Sequence, residues 1–382
     1  MESYVVRARR QLHMYPEIGF DLPKTLEFLR SELDTIGVEY TEKYGKSSIV
    51  ATVNPEKTHF TIGVRADTDA LPIKEENDVP YKSKIDGQMH ACGHDSHTAI
   101  ALATLKEIYE MRDKINCRVK FIFQSAEEYS PSGAKLMAED GVMDDIDCAV
   151  ALHCDAAFNV GQIGVSSGPI NATSDGFLLE FFGKSAHVAA QQKGVDAIMM
   201  AVRAYTDIQF VVSKEVSAKS PVIFNVGSIH GGVANNIICD YAYMYCTLRT
   251  HTDDVANHVL DKVKRIINAV AETAGGTAKF TQKKHYPIVV NDEKIAELVR
   301  NAAISVVGAD KVFPKRRGMG GEDFSYFANE KPSCMYYLGV RNTEKDCVYD
   351  VHTPKFNLDE DALDIGVKIF KQFIIDNMNG IK

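Results

Sequence analysis

The stretch TAIALATLKEIYEMRDKINCRVKFIFQ, residues 98–124, decides the fold of this chain. Its first part carries apolar residues at helical spacing, and its end, RVKFIFQ, is a short apolar run typical of a buried strand. Similar runs stand at residues 47–53 (SSIVATV), 60–66 (FTIGVRA) and 147–153 (DCAVALH). Because strands that alternate with helices build parallel sheets covered on both faces, the sequence predicts an α/β fold with a mostly parallel sheet flanked by helices.

The pattern changes after Pro169, where several strands and two helices predict a compact two-layer α+β unit. Beyond Tyr286 the helix and strand alternation of the first part resumes, so the second unit is predicted to be an insertion. The expected organisation is a catalytic domain in two parts, residues 1–173 and 287–382, with an inserted α+β domain at residues 174–286. Two helices are expected near the start of the chain.

Composition limits the partners. The chain of 382 residues has a formal charge of −9 and no block rich in Lys or Arg, so neither nucleic acid nor an anionic membrane surface is an expected partner. Small molecules are the expected partners.

The cellular location is predicted to be the cytoplasm. The first twenty residues turn polar too early for a signal peptide, and no window approaches the roughly 18 apolar residues of a membrane helix. The eight cysteines have no paired spacing and stand mostly in apolar runs, which is typical of buried free thiols in a reducing compartment.

Candidate metal ligands follow the predicted strands, where α/β proteins bind ligands. Cys92 and His94 stand two residues apart in a glycine-containing loop before a predicted helix, and Glu128, His153 and His352 would complete a site for zinc or a similar divalent ion. Each of these residues taken singly is more often a core or surface residue than a ligand. That alternative weakens because the five candidates recur at predicted loop positions.

The pair Glu127 and Glu128 follows a predicted strand and can divide two tasks. Neighbours on an extended chain point in different directions, so one carboxylate can bind metal while the other faces a water molecule, as in metal-assisted hydrolysis. His90 and His97 are expected to lie behind the ligands. A phosphate-binding interpretation of GMGGEDFSYF, residues 318–327, is disfavoured because no P-loop lysine follows.

With these residues in view, the chain resembles the group of metal-dependent amidohydrolases that contains aminoacylase, hippurate hydrolase and the auxin-conjugate hydrolases, related to carboxypeptidase G and succinyl-diaminopimelate desuccinylase. The resemblance runs nearly end to end and in order. It rests on the motifs RRQLHMYPEIGF, RADTDALPI, MHACGHDSHTA, FIFQSAEE, GKSAH, GGVANNII, GGEDFSYF and VHTP.

The resemblance implies a catalytic α/β domain, an inserted lid domain that commonly dimerises, and one or two divalent ions (Zn, Mn, Co or Ni) per subunit. It implies a metal-ligand set: Cys92, His94, Glu128, His153 and His352. Glu127 matches the general base, and Asp69 matches an aspartate that orients the ligands. In the lid, His187 and Asn236 match residues that reach the substrate, in many relatives from the partner subunit, and Arg249 matches a residue suited to the substrate carboxylate.

The activity implied is hydrolysis of the amide bond of N-acyl amino acids by a metal-activated water, with Glu127 as general base and His187 helping to stabilise the oxyanion. A dipeptidase or carboxypeptidase using the same metal site is the alternative enzyme. A non-catalytic binding or sensor protein is the third hypothesis, disfavoured because Glu127 and all five ligands are present.

Overall fold

The structure is a computed structural model that describes residues 3–381, the side chain of Lys284 excepted. Two compact units make up the chain. The first comprises Met1–Ile170, Val289–Arg316 and Asp323–Lys382, and the second comprises Asn171–Ile288 and Arg317–Glu322. Residues 1, 2 and 382, which the sequence assigns to the catalytic domain, lie outside the described part. The predicted domain limits at residues 174 and 286 stay a prediction.

The first unit begins with the two expected helices, α1 (Tyr4–Met14) and α2 (Pro23–Ile36). Pro23 suits the first turn of α2, where its missing N–H costs nothing, and Gly37 ends the helix in the left-handed conformation. The elements that follow are β1 (Glu39–Thr41), β2 (Ile49–Val53), β3 (Thr61–Asp67), α3 (His94–Glu110), β4 (Arg118–Gln124), α4 (Gly133–Glu139), β5 (Cys148–Asn159), β6 (Ile163–Gly164) and β7 (Gly168–Pro169).

The second unit is an antiparallel sheet with two long helices. Its elements are β8 (Ser174–Phe182), β9 (Ala186–His187), α5 (Ala197–Lys214), β10 (Val222–Gly231), β11 (Ile237–Ile238), β12 (Tyr241–Thr250), α6 (Asp253–Ala274) and β13 (Thr277–Tyr286). The main sheet has the order β10-β12-β8-β13. Along β12, Met244 and Leu248 are buried while Tyr241 and Tyr245 are exposed, so α5 and α6 cover one face only.

The chain then completes the first unit with β14 (Val290–Asn291), α7 (Glu293–Val307), β15 (Val312–Phe313), α8 (Ser325–Ala328), β16 (Ser333–Arg341) and α9 (Asp361–Asn377). Short 3-10 turns lie at Arg112–Lys114, Val188–Lys193 and Ala309–Lys311.

The eight-stranded sheet of the first unit has the order β1-β2-β4-β3-β5-β16-β6-β15. Its centre is parallel, because β3 pairs in parallel with β4 and β5, and β5 pairs in parallel with β16. All seven residues of β3 are buried, which is typical of a strand covered on both faces. The predicted α/β fold with a mostly parallel sheet flanked by helices is confirmed.

Two further predictions can be compared with the structure. All eight cysteines are free and buried, as expected. Among the described residues, no helix has both the length and the apolar character needed to cross a membrane.

Candidate metal centre

The neighbouring strands β3, β4 and β5 bring the chemical groups to one edge of the sheet. Asp69 follows β3, and Glu127 with Glu128 follow β4. His153 lies within β5 rather than after it, because β5 continues to Asn159. Since β3 pairs with β5 only as far as Ala151, His153 still lies beyond the shared part of that strand pair.

Cys92 and His94 are placed by the start of α3. The sequence predicted a loop for both residues, but His94 is the first residue of the helix. Gly93, at φ 85°, makes the turn between them, and a Cβ atom there would lie 2.3 Å from the Cys154 sulfur. Only glycine fits this left-handed, closely packed position, so the glycine fixes how the two ligand candidates face each other.

The five predicted ligands converge in the first unit. The Cys92 Sγ atom lies 3.4 Å from His153 Nε2 and 3.3 Å from His352 Nε2, and His352 Nε2 lies 2.9 Å from Glu128 Oε1. The ligand atoms of Cys92, His94 and His153 all lie within 4.8 Å of one another, as do those of His94, Glu127 and Glu128.

The donor set fits a divalent metal ion. His94 Nδ1 lies 2.9 Å from the Asp69 carbonyl and His153 Nδ1 lies 2.7 Å from the Cys154 carbonyl, which leaves the Nε2 atom of each ring for an ion. His94 Nε2 is buried and makes no hydrogen bond among residues 3–381, although the Asp67 carboxylate lies 3.5 Å away as an ion-pair partner. A buried ring nitrogen that makes no hydrogen bond is costly, so a bound cation would supply the bond that this nitrogen lacks.

Asp69 holds the two glutamates in place. Its Oδ1 atom accepts a hydrogen bond from the Glu127 N–H (2.9 Å) and its Oδ2 atom accepts one from the Glu128 N–H (3.1 Å). Two residues of the site, Ala126 (φ 52°) and His352 (φ 64°), have the left-handed backbone conformation. Such strain in non-glycine residues persists only where the surroundings enforce it, as at functional sites.

Burial and charge perturb the ligands. Burial raises the pKa of the Cys92 thiol well above its ordinary value, although His94 opposes the shift. Burial acts to lower the pKa of His94, but the Asp67 carboxylate overcomes this and raises the pKa well above its ordinary value. A metal ion binds a thiolate and a neutral imidazole, so both pKa shifts favour the protonated groups and ion binding at this site releases protons.

His97 belongs to the support of the site, as expected. Its Nδ1 atom lies 2.6 Å from Asp67 Oδ1, and its Nε2 atom accepts the Cys154 N–H at 2.9 Å, so both nitrogens are used. Burial lowers the pKa of His97 to about 4 despite Asp67, so the ring is neutral near pH 7. His90 is buried too, and neither ring nitrogen has a hydrogen-bond partner among the described residues.

Three supporting residues were missed by the sequence analysis: Arg9, His13 and Asp67. Arg9 and His13 of α1 reach Asp95, the residue after His94, with Arg9 Nε donating to Asp95 Oδ2 at 2.8 Å and His13 Nδ1 lying 2.7 Å from the same oxygen. Asp67 was missed because an acidic residue at the end of an apolar run is usually the first exposed residue of the following loop. Helical spacing of Arg9 and His13, i and i+4, on an otherwise apolar helix face was the available signal.

The three predicted substrate residues lie in the second unit. His187 on β9 and Asn236 next to β11 are exposed neighbours, because Ile237 pairs with His187 and the Asn236 carbonyl accepts the Val188 N–H. Strand β12 begins shortly after β11, and Arg249 lies near its far end, at the residue before Thr250. There the Arg249 Nη1 atom donates to the Met319 carbonyl at 3.0 Å. Within this unit, therefore, the structure brings His187 and Asn236 together and places Arg249 apart from them.

A sheet edge that gathers thiol, imidazole and carboxylate groups around one point is suited to a divalent metal ion, and a carboxylate beside such an ion is the arrangement of metal-dependent hydrolases. Residues 63–376 match the family described as Peptidase family M20/M25/M40, and the chain belongs to this family. It is a metal-dependent amidohydrolase.

Named relatives cover nearly the whole chain. The thermostable carboxypeptidase 1 of Saccharolobus solfataricus is 33% identical over 96% of this chain and 93% of its own. The N-acetyl-L-cysteine deacetylase of Bacillus subtilis is 34% identical over 95% of this chain and 85% of its own. A dinuclear metal-binding peptidase of the M20 family from Bacillus subtilis superimposes with a TM-score of 0.82 at 29% identity, covering 97% of each chain.

Proposed function

We propose that this protein hydrolyses the amide bond of N-acyl amino acids, with Glu127 as the general base. The observation that carries the proposal is the placement of Glu127 beside the ligand cluster, with its carboxylate in the same group as His94 and Glu128. A base at the edge of a metal site, rather than within a salt bridge on the surface, is the arrangement needed to deprotonate a water molecule. Named relatives support the substrate class, since one is a deacetylase of N-acetyl-L-cysteine.

The chain's own groups divide the work. Cys92, His94, Glu128, His153 and His352 would hold one or two divalent ions, zinc or manganese first among the candidates. A bound ion lowers the pKa of water toward about 7 and polarises the amide carbonyl. Glu127 takes a proton from water and returns it to the leaving amine, while Asp69 keeps both glutamates oriented through their backbone N–H groups.

We expect removal of metal to abolish the activity. Treatment with a chelator should lower the rate to below about 1% of its starting value, and a divalent ion should restore it, because the chemistry depends on the ion. Cys92→Ala should also lower the metal content measured by elemental analysis. Cys148→Ala is the matched control, since Cys148 is a buried free cysteine outside the ligand cluster. Full activity in a preparation shown to be metal-free would end the proposal.

A dipeptidase or carboxypeptidase is the second candidate, favoured by the relative named thermostable carboxypeptidase 1. A panel of N-acetyl amino acids, N-benzoyl amino acids and dipeptides should separate the two. We expect the largest kcat/KM for an N-acyl amino acid, with Arg249 binding the free carboxylate. A panel in which dipeptides are cleaved and N-acyl amino acids are not would favour the second candidate.

We further propose that the inserted unit is a lid that forms a homodimer. Strand β10 is an edge of its sheet, and within residues 3–381 it pairs with β12 alone. The neighbouring helix α5 exposes apolar side chains at helical spacing: Ile198, Met199, Val202 and Phe210. An unpaired edge beside an exposed apolar helix face suits a two-fold contact with a second copy of the same unit.

His187 is proposed to act in the partner's site. Strand β8 runs from Ser174, next to the point where the chain enters the second unit, to Phe182, which is about 27 Å farther along an extended strand. His187 follows that far end. Arg249 lies at the near end, because its neighbour Thr250 accepts the Thr173 N–H. His187 and Arg249 therefore lie towards opposite ends of the second unit's sheet, and the assignment of His187 to the partner's site is supported by the family resemblance.

We propose a cytoplasmic location, supported by the eight free and buried cysteines.

A further inference from the structure

The segment GGEDF, residues 320–324 of the motif GMGGEDFSYF, contributes a buried aspartate that lies next to the proposed base. Asp323 is fully buried, and its backbone N–H donates to Glu127 Oε1 at 3.4 Å. The phosphate-binding interpretation of this motif gave the aspartate no role, and neither the ligand cluster nor the proposed mechanism uses it.

The Asp323 side chain is held by the strands that carry the site. Its Oδ1 atom accepts from Arg65 Nη2 at 2.7 Å, and its Oδ2 atom accepts from Gln124 Nε2 at 2.7 Å and from the Ala134 N–H at 3.2 Å. Arg65 belongs to β3 and Gln124 is the last residue of β4, three residues before Glu127. The loop that donates a hydrogen bond to the base is therefore itself hydrogen-bonded to the end of β4, the strand that leads to the base.

Arg65 extends the same network to the histidine side of the site. Its Nη1 atom donates to Asp67 Oδ2 at 2.9 Å and its Nε atom donates to Gln124 Oε1 at 2.8 Å, while Asp67 Oδ1 contacts His97. All of these side chains are at most 1% exposed. Two buried carboxylates around one guanidinium are a poor source of stability, since apolar groups of equal volume often serve better. Their value is a fixed geometry, because the planar guanidinium binds both acids in set directions.

We propose that Asp323 is a positioning residue for Glu127: the Asp67–Arg65–Asp323 network holds the Asp323 backbone N–H against Glu127 Oε1 and so fixes the direction of the base. This inference rests on the proposed function, because it takes Glu127 as the base. Asp323 does not touch the substrate or the ion and acts only through Glu127.

The test is a double-mutant cycle of Asp323→Asn and Glu127→Gln in the metal-loaded full chain. In Asp323→Asn, an amide N–H₂ group replaces a carboxylate oxygen that accepts hydrogen bonds in the wild-type protein. Donors then face a donor, so the loop that carries residue 323 should shift. We expect kcat to fall about 10- to 100-fold, the scale of a misplaced catalytic group, with KM and metal content little changed. In the Glu127→Gln background the same substitution should change kcat less than about twofold, because coupled residues are not additive.

Arg65→Lys is the second variant. It should show the same pattern, because lysine keeps the positive charge but lacks the planar guanidinium that binds both carboxylates in set directions. It provides the test if Asp323→Asn fails to fold. Asp359→Asn is the matched control. Asp359 is a buried aspartate that accepts from Asn342 Nδ2 and Lys345 Nζ away from the base, so its loss should lower thermal stability and leave kcat unchanged.

Three results would overturn the proposal: an unchanged kcat, an equal loss in both backgrounds, or a loss that follows the metal content. Each leaves the proposed function intact, provided the wild-type protein and Asp359→Asn hydrolyse N-acyl amino acids. A wild-type protein that is loaded with metal and hydrolyses no amide would instead overturn the proposed function itself.

Discussion

Glu127→Gln should reduce turnover by about 10²-fold or more while the protein keeps its metal and still binds substrate, because the substitution removes the proton acceptor but none of the five proposed metal ligands. Glu128→Gln should instead lower the metal content. Glutamine is nearly isosteric with glutamate and keeps the backbone N–H groups that Asp69 binds, so neither change should disturb that contact.

The measurement is metal content per chain, by elemental analysis, beside kcat for an N-acetyl amino acid. The two variants are each other's matched control, since they make the same chemical change at adjacent residues of one loop. If Glu127→Gln loses metal and Glu128→Gln keeps it, the roles are reversed. If both lose metal, both carboxylates are ligands and another group must act as the base.

Much of the fold follows from patterns that are local in sequence. Apolar β-branched runs separated by a helical stretch are sufficient to predict a parallel sheet, because a strand buried on both faces needs apolar residues at nearly every position. The strand ends then identify Asp69, Glu127 and Glu128 as neighbours. His352 is different: its convergence with Cys92, 260 residues away, cannot follow from spacing. Its residue type and loop position made it a candidate ligand, and the family resemblance gave it a place in the ligand set.

The start of α3 shows where local patterns fail. The apolar periodicity of that helix begins at Ala99, so the polar residues 94–97 looked like a loop. In the structure they form the first turn and are buried, because Asp67, Asp69, Arg9 and His13 supply partners from elsewhere in the chain. Polar residues are buried only with partners, and partners distant in sequence leave no periodic signal.

The network around Asp323 was missed for the same reason. Arg65 alternates with apolar residues in a fully buried strand, where a charged side chain is rarely expected. Its partners Asp67, Gln124 and Asp323 come from three segments, and only the first is nearby in sequence. An arginine within an apolar strand is itself the available signal, since such a residue must have buried acids beside it.

His187→Ala and Glu127→Ala should each give nearly inactive protein, and a mixture of the two should recover activity if His187 serves the partner subunit. When the two variants are unfolded together and reassembled at equal amounts, about half of the dimers should be mixed, by the symmetry of a two-fold assembly. Each mixed dimer has one site in which an intact Glu127 meets an intact His187 from the other chain. The recovered activity should therefore approach about a quarter of the wild-type value.

The matched control is a mixture of Glu127→Ala and Glu128→Ala. Both lesions lie in the first unit, so every mixed dimer has one damaged residue in each site and no activity should return. Subunit exchange is measured separately, by mass spectrometry of differently tagged chains. A lack of recovered activity can then not be due to a lack of mixed dimers. If exchange is complete and the His187→Ala and Glu127→Ala mixture stays at the level of its parents, His187 acts within its own chain. The trans assignment is then wrong, whereas the ligand cluster and the base in the first unit are unaffected, because neither depends on His187.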